Sequence, residues 1–200
     1  MSVSEDIKNI LKKILNHFTM KKLIFATAVA IFAAFNLNAQ TTMVGGEQMF
    51  PKKDIVDNAV NSKDHTTLVA AVKAAGLVET LKTKGPFTVF APVNDAFENL
   101  PAGTVETLLK PESKAALTNV LTYHVLSGKY DFAALSKAIT AGKGTAKIKT
   151  VSGGYLTFMM NGARNIAIKD ENGRVANISV YDVYQSNGVI MVTDSVLLPK

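Results

Sequence analysis

The chain has 200 residues, 48% of them hydrophobic and 19% charged, with no cysteine and a formal net charge of +6. These values exclude a disordered or low-complexity chain, a disulfide scaffold and a thiolate metal site, and they fit one globular domain. Residues 1–40 hold Lys8, Lys12, Lys13, Lys21 and Lys22 against Glu5 and Asp6; without them the formal charge falls to +3, too little to argue for nucleic-acid binding.

Val3, Ile7, Ile10, Leu11, Ile14, Leu15 and Phe18 fall on one helical face, with Lys8, Lys12 and Lys13 elsewhere. A basic amphipathic helix of this kind is able to lie on a membrane surface. The preferred reading is that Met20 is the true start and residues 1–19 lie upstream of it. Met20, Lys21 and Lys22 lead into the apolar run Leu23 to Leu37, then Asn38, Ala39 and Gln40. This order predicts a secretory signal peptide over 1–39 with cleavage after Ala39, and the run is short for a membrane span. An exported chain without cysteine has neither disulfides nor the thiol of a lipid anchor, so no permanent membrane anchor is expected and its core alone must hold it.

Residues 40–51 carry a Gly pair and little periodicity and read as a mobile arm, leaving 52–200 as the domain. Ile55, Val56, Ala59 and Val60 recur at helical spacing. A second helix from about Asp64 turns Leu68, Val69, Ala71, Val72 and Ala75 inward and meets Gly76 as its cap. Leu77, Val78 and Leu81 predict a short third helix. The stretch Gly85 to Phe97 follows. Phe87, Val89 and Ala91 alternate with Thr88 and Phe90 as in a strand apolar on both faces, Pro92 ends it, and Asn94 is placed to cap a short helix.

Val105, Leu108 and Leu109 predict another short helix. Pro111 and Glu112 open a longer one with Ala115, Leu117, Val120 and Leu121 on its buried face. Tyr123, His124 and Val125 read as a short strand, which would point Tyr123 and His124 to opposite faces. Asp131 caps a helix through Phe132, Leu135 and Ile139 that ends at Gly142. From Gly144 to Pro199 the chain alternates β runs with Asn161-Gly162, Asn172-Gly173 and Asn187-Gly188, the positive-φ dipeptides of tight hairpins. Helices first and strands last define an α+β domain.

Leu68 to Leu81, Thr88 to Phe97, Leu109 to Lys114, Tyr123-His124 and Asn187 to Pro199, in that order, resemble the blocks of the fasciclin-like domain. The resemblance covers nearly the whole chain from Asp54 to Pro199. It implies helices packed on a compact β-wedge of mostly antiparallel strands, no enzymatic activity, no cofactor and a role in secreted or surface-attached adhesion. It also implies that Tyr123 and His124, and Asp182 and Val183 at the centre of an adhesion motif of some animal members, contact a partner. Two departures stand out. Met191 takes the place of a frequent histidine, and the residues flanking Asp182-Val183 do not match the adhesion motif.

Read by chemistry alone, these residues show little. His65 and His124 are far apart, without the spacing of a zinc site. For His124 the structural reading, a buried imidazole bonded to backbone, takes precedence over contact with a partner, because buried polar groups need partners. Ser127, Ser136 and Ser152 lack a nucleophile-elbow context, and Gly142-Lys143-Gly144-Thr145 lacks the spacing of a phosphate loop. Lys143, Lys147 and Lys149 alternate as a basic row, either meeting a polyanionic polysaccharide or guarding a sheet edge. Asn177-Ile178-Ser179 has glycosylation spacing but follows a bacterial-looking signal. Tyr155, Phe158, Met159, Met160, Tyr181 and Tyr184 are core by type, yet such residues also line apolar sites. The expected function is adhesion or matrix contact, with surface or matrix proteins or polysaccharides as partners. The alternative, which the resemblance also implies because some fasciclin-like proteins hold carotenoids, is binding of an elongated hydrophobic molecule such as a carotenoid or lipid.

Overall fold

The structure, a computed structural model, describes residues 41–200; the predicted signal peptide and the segment before it lie outside them. The described chain runs through β1 (Thr42–Val44), β2 (Glu47–Met49), α1 (Ile55–Ala59), α2 (Thr66–Ala75), α3 (Val78–Lys82), β3 (Phe87–Pro92), α4 (Asn94–Glu98), α5 (Thr104–Leu108), α6 (Lys114–Tyr123), β4 (Val125–Ser127) and α7 (Phe132–Ala141). It closes with β5 (Thr145–Lys149), β6 (Tyr155–Met160), β7 (Ile166–Lys169), β8 (Val175–Gln185) and β9 (Gly188–Thr193).

Local chemistry places many of these boundaries. Asp54 accepts a hydrogen bond from the Asp57 amide at 2.8 Å and caps α1, and Asp131 accepts one from the Ala134 amide at 2.9 Å and caps α7. Gly76 ends α2 in the left-handed conformation at φ 75°, where a Cβ is disfavoured.

The main sheet has the order β4-β3-β9-β8-β7-β6-β5, and within it every neighbouring pair is antiparallel except β3 with β9. The fold is α+β. As the alternation of β3 predicts, both its faces are apolar and buried. Phe90 packs with Phe158, Leu126 and Met191 on one side, where α7 adds Leu135 and Ile139. Val89 and Ala91 face the other side, where α1, α2 and α6 bring Ile55, Leu68 and Leu121. Burying a side chain such as Phe90 contributes about 1.5–3 kcal/mol, so the strand is a large share of the core.

The stretch read as a mobile arm is instead a hairpin, β1 paired antiparallel with β2, with Val44 and Met49 buried. Its anchor is Asn58 on α1. The Asn58 carboxamide accepts from the Phe50 amide at 2.9 Å and donates to the Phe50 carbonyl at 2.8 Å, and it also donates to Gln185 Oε1. Asn94 departs from its expected role as well. Helix α4 begins at Asn94 itself, and the side chain caps α2 instead, accepting from the Thr67 amide at 3.1 Å and donating to the Lys63 carbonyl at 2.9 Å.

One of the three Asn-Gly dipeptides behaves differently from the other two. Gly162 and Gly173 take positive φ, as hairpin turns require, but in five-residue connections. Asn187-Gly188 works by close approach. Ser186 and Asn187 alone join Gln185 to its partner Gly188, and a Cβ on Gly188 would stand 2.2 Å from the Phe87 carbonyl oxygen. Asn187 is buried. Its Oδ1 accepts from the Ile55 amide at 3.0 Å, and its Nδ2 donates to the carbonyls of Leu81 at 2.7 Å and Thr83 at 3.1 Å. One carboxamide thereby joins the start of α1, the end of α3 and the turn into β9.

Truncating Asn187→Ala strands the buried Ile55 amide and takes the partner from two half-buried carbonyls, and leaving a buried polar group unpaired costs about 1–3 kcal/mol before relaxation. Urea unfolding followed by circular dichroism is expected to show a loss of at least ~2 kcal/mol, against a change within ~0.5 kcal/mol for the exposed control Asn61→Ala.

Candidate functional site

Helix α6 ends at Tyr123 and His124 is its C-cap, so the pair sits on a helix end and not on a strand. This corrects the expectation of opposite faces. Tyr123 is 0% exposed and His124 3% exposed, which leaves neither side chain a surface to offer a partner. The Tyr123 hydroxyl donates to the Tyr155 carbonyl at 2.8 Å and accepts from the Glu171 amide at 3.1 Å, joining α6 to β6 and to the turn after β7. Burial pushes its pKa up to about 12. His124 Nδ1 donates to the Val120 carbonyl at 2.8 Å, one helical turn back, and Nε2 accepts from the Leu197 amide at 3.0 Å. Those two bonds define a neutral imidazole protonated on Nδ1, and burial holds its pKa down at about 4. The C-terminal segment is pinned to the core by this bond and by that from the Leu198 amide to buried Asp170 at 3.0 Å.

Val183 is 1% exposed and points into the core, so it too offers no contact surface. Asp182 lies in a bulge of β8 between Val180 and Val183, with the left-handed φ of 57°. Its Oδ1 accepts from the Phe132 amide at 2.8 Å, adding to Asp131 a second carboxylate at the N-terminus of α7. Burial raises its pKa, with the Phe132 bond opposing. Met191, standing where the fasciclin-like pattern often has histidine, puts its Sδ 3.4 Å from the Asp182 amide. His65, buried on the other face, lies 2.8 Å by Nδ1 from the Ser62 hydroxyl, and burial lowers its pKa. Among the described residues, no three His, Asp or Glu side chains converge in a manner that could hold a metal ion.

Of the four expected contact residues, then, the structure brings none to a common exposed patch. What sequence reading missed lies beside them. Between α1, α2 and α3 and the sheet is a cavity of about 270 Å³. Val89, Val125 and Ile190 form its floor; Ile55, Val56 and Ala59 of α1, Leu68 and Val72 of α2, and Val78 and Leu81 of α3 form its walls. It reaches the surface at Val60 and Val151, which are 46% and 49% exposed. Helix α3 has no fully buried residue; Val78 and Leu81 line this space, and Leu81 also packs against the Val89 side of the core. The aromatic and methionine set of β6 and β8, core by type and the source of the apolar-ligand alternative, contributes no residue to its lining.

Residues 63–199 match the Fasciclin domain family, and the chain belongs to that family. It is 47% identical over 147 residues to protein sll1483 of Synechocystis, covering 72% of this chain and 73% of that one. It is 31% identical over 175 residues to the cell surface glycolipoprotein MPB83 of Mycobacterium bovis, covering 85% of this chain and 70% of that one. Its fold is that of the FAS1 domain pair of the insect cell adhesion molecule fasciclin I, with a TM-score of 0.64 at 18% identity over 74% of this chain; it spans about half, 52%, of that longer protein.

The state of His124 has a pH signature. The folded imidazole resists protonation down to about 4 whereas the unfolded one takes a proton near 6.5, so between these values the unfolded chain binds the extra proton. Stability is expected to fall by about 3 kcal/mol as pH drops through that window and to level off below it; His65 acts in the same direction, and Asp182, with its raised pKa, in the opposite one. Comparing unfolding midpoints of the parent chain and His124→Gln from pH 7 to 4 isolates the effect: the variant should be less stable at pH 7 and lose most of the slope.

Proposed function

We propose that this chain is an exported, non-enzymatic interaction module acting in adhesion or matrix contact outside the cytoplasm, with surface or matrix proteins or polysaccharides as partners. The observation that carries this reading is membership of the fasciclin family, together with relatives whose names place one at a cell surface and another in cell adhesion. The use of polar groups agrees with it. Both nitrogens of His124, the Tyr123 hydroxyl and the Asp182 carboxylate are committed to backbone bonds that hold elements together, as in a scaffold presenting a surface. Tyr123, His124, Asp182 and Val183 serve binding by fixing that scaffold's shape. The basic side chains Lys147 and Lys149 lie exposed on the edge strand β5, where they deter edge-to-edge pairing and remain accessible to a polyanion. Lys143 lies outside the strand, at φ 56°, so the predicted row of three is a pair on β5.

A second reading, an apolar small-molecule carrier, is favoured by the cavity beneath α1–α3. The adhesion reading predicts that purified protein binds cells, envelope polysaccharide or surface proteins, and that a deletion strain attaches less well. Normal attachment together with no binding would end it. The carrier reading predicts an extractable lipid or a visible absorption band in protein purified from its own host; a colourless, ligand-free preparation would count against it.

A further inference from the structure

The cavity is apolar inside and unevenly charged at its rim. The charged side chains on its lining are Asp57, Lys73 and Lys82. Asp57 and Lys82 engage each other across α1 and α3 at 2.7 Å, with Asp54 a further 4.0 Å partner of Lys82. Lys73, in the last turn of α2, has no ion-pair partner among the described residues. Lys114 brings its Nζ to the same helix end, 3.4 Å from where a Cβ of Gly76 would sit. A ligand apolar at one end and anionic at the other therefore meets a matching group at each end.

We propose that the cavity takes a single-chain fatty acid, its chain held between α3 and the floor of β3, β4 and β9 and its carboxylate at Lys73. The assignment rests on the apolar-ligand reading and narrows it. The volume of about 270 Å³ is nearly twice that of an engineered apolar cavity that holds benzene, which suits a chain of about ten to fourteen carbons and leaves a carotenoid or a two-chain phospholipid too large to be enclosed. The Asp57–Lys82 pair, exposed and joining two cavity walls, is the contact that must yield for a chain to enter beside α3.

Isothermal titration of the purified, delipidated chain with dodecanoate, dodecanol and dodecyltrimethylammonium, each below its micelle concentration, tests this. Dodecanoate should bind one to one and about tenfold more tightly than dodecanol, the gain of one charge-assisted contact. Lys73→Gln should remove most of that difference while leaving dodecanol affinity unchanged. Val72→Phe should weaken both ligands by more than about tenfold with the melting temperature kept, since it fills space; Ala59→Leu does the same from the opposite wall if Val72→Phe does not fold. Equal affinity for acid and alcohol, a preference for the ammonium, or discrimination that survives Lys73→Gln would overturn the carboxylate assignment and leave the apolar-ligand reading standing. Binding by none of the three would overturn both.

Discussion

The parallel pairing of β3 with β9 is the constraint from which the rest of the domain follows. Phe87 to Pro92 lie beside Gly188 to Thr193 in register, and both strands are buried on both faces. A two-faced strand needs cover above and below, and the helices and outer strands supply it: α1, α2 and α6 on one side, and α7 with the curled β5–β8 meander on the other. The entry to the ladder is crowded. Gly188 lies against the Phe87 carbonyl, the Phe87 amide donates to the Asn187 carbonyl at 3.0 Å, and the Asn187 side chain closes the helices over the same point. Backbone this close has room for glycine alone, and a junction with this many buried polar groups is stable only when each has a partner.

The two faces of the sheet are packed to different ends. On the Phe90 side the aromatic rings, Met191 and the α7 leucine and isoleucine close the space, and the hydroxyls of Tyr123 and Tyr181 find backbone partners at its margins. On the Val89 side α1, α2 and α3 bridge the floor without filling it. Helices α1 and α3 are five residues long, so each has little more than one turn to offer the floor, and Asn187 ties the start of α1 to the end of α3.

Much of the architecture was legible because it depends on local chemistry. The two-faced alternation of β3, the Asp131 cap and Gly142 stop of α7, and the Gly76 stop of α2 stand as expected. Tyr123-His124 misled because His124 reaches back to the Val120 carbonyl and the helix carries through Thr122 despite its β-branched residues, an outcome fixed by burial against β6 and the Leu197 amide. The β1–β2 hairpin was hidden because its strands are three residues long and are held by Asn58 and Gln185 from elsewhere in the chain. Asn94 stands where its own helix needs a cap and caps α2 instead, because the Thr67 amide and the Lys63 carbonyl lie within its reach. The cavity left no trace in the sequence, since a valine that lines a void and one that packs a core are the same letter. The contact residues implied by family resemblance were legible as positions but not as surfaces, since their burial is a property of the assembled sheet.

The order of the strands along the chain has a consequence for how the molecule is made. Phe87 and its partner Gly188 are separated by about a hundred residues, so closing the central ladder forfeits the freedom of most of the chain before any contact repays it, which places this domain among slow, non-local folders. During synthesis β3 waits, apolar on both faces, until nearly all the described chain has emerged. It is in that interval, not in the finished domain, that the sequence is most exposed to aggregation and most dependent on whatever escorts it.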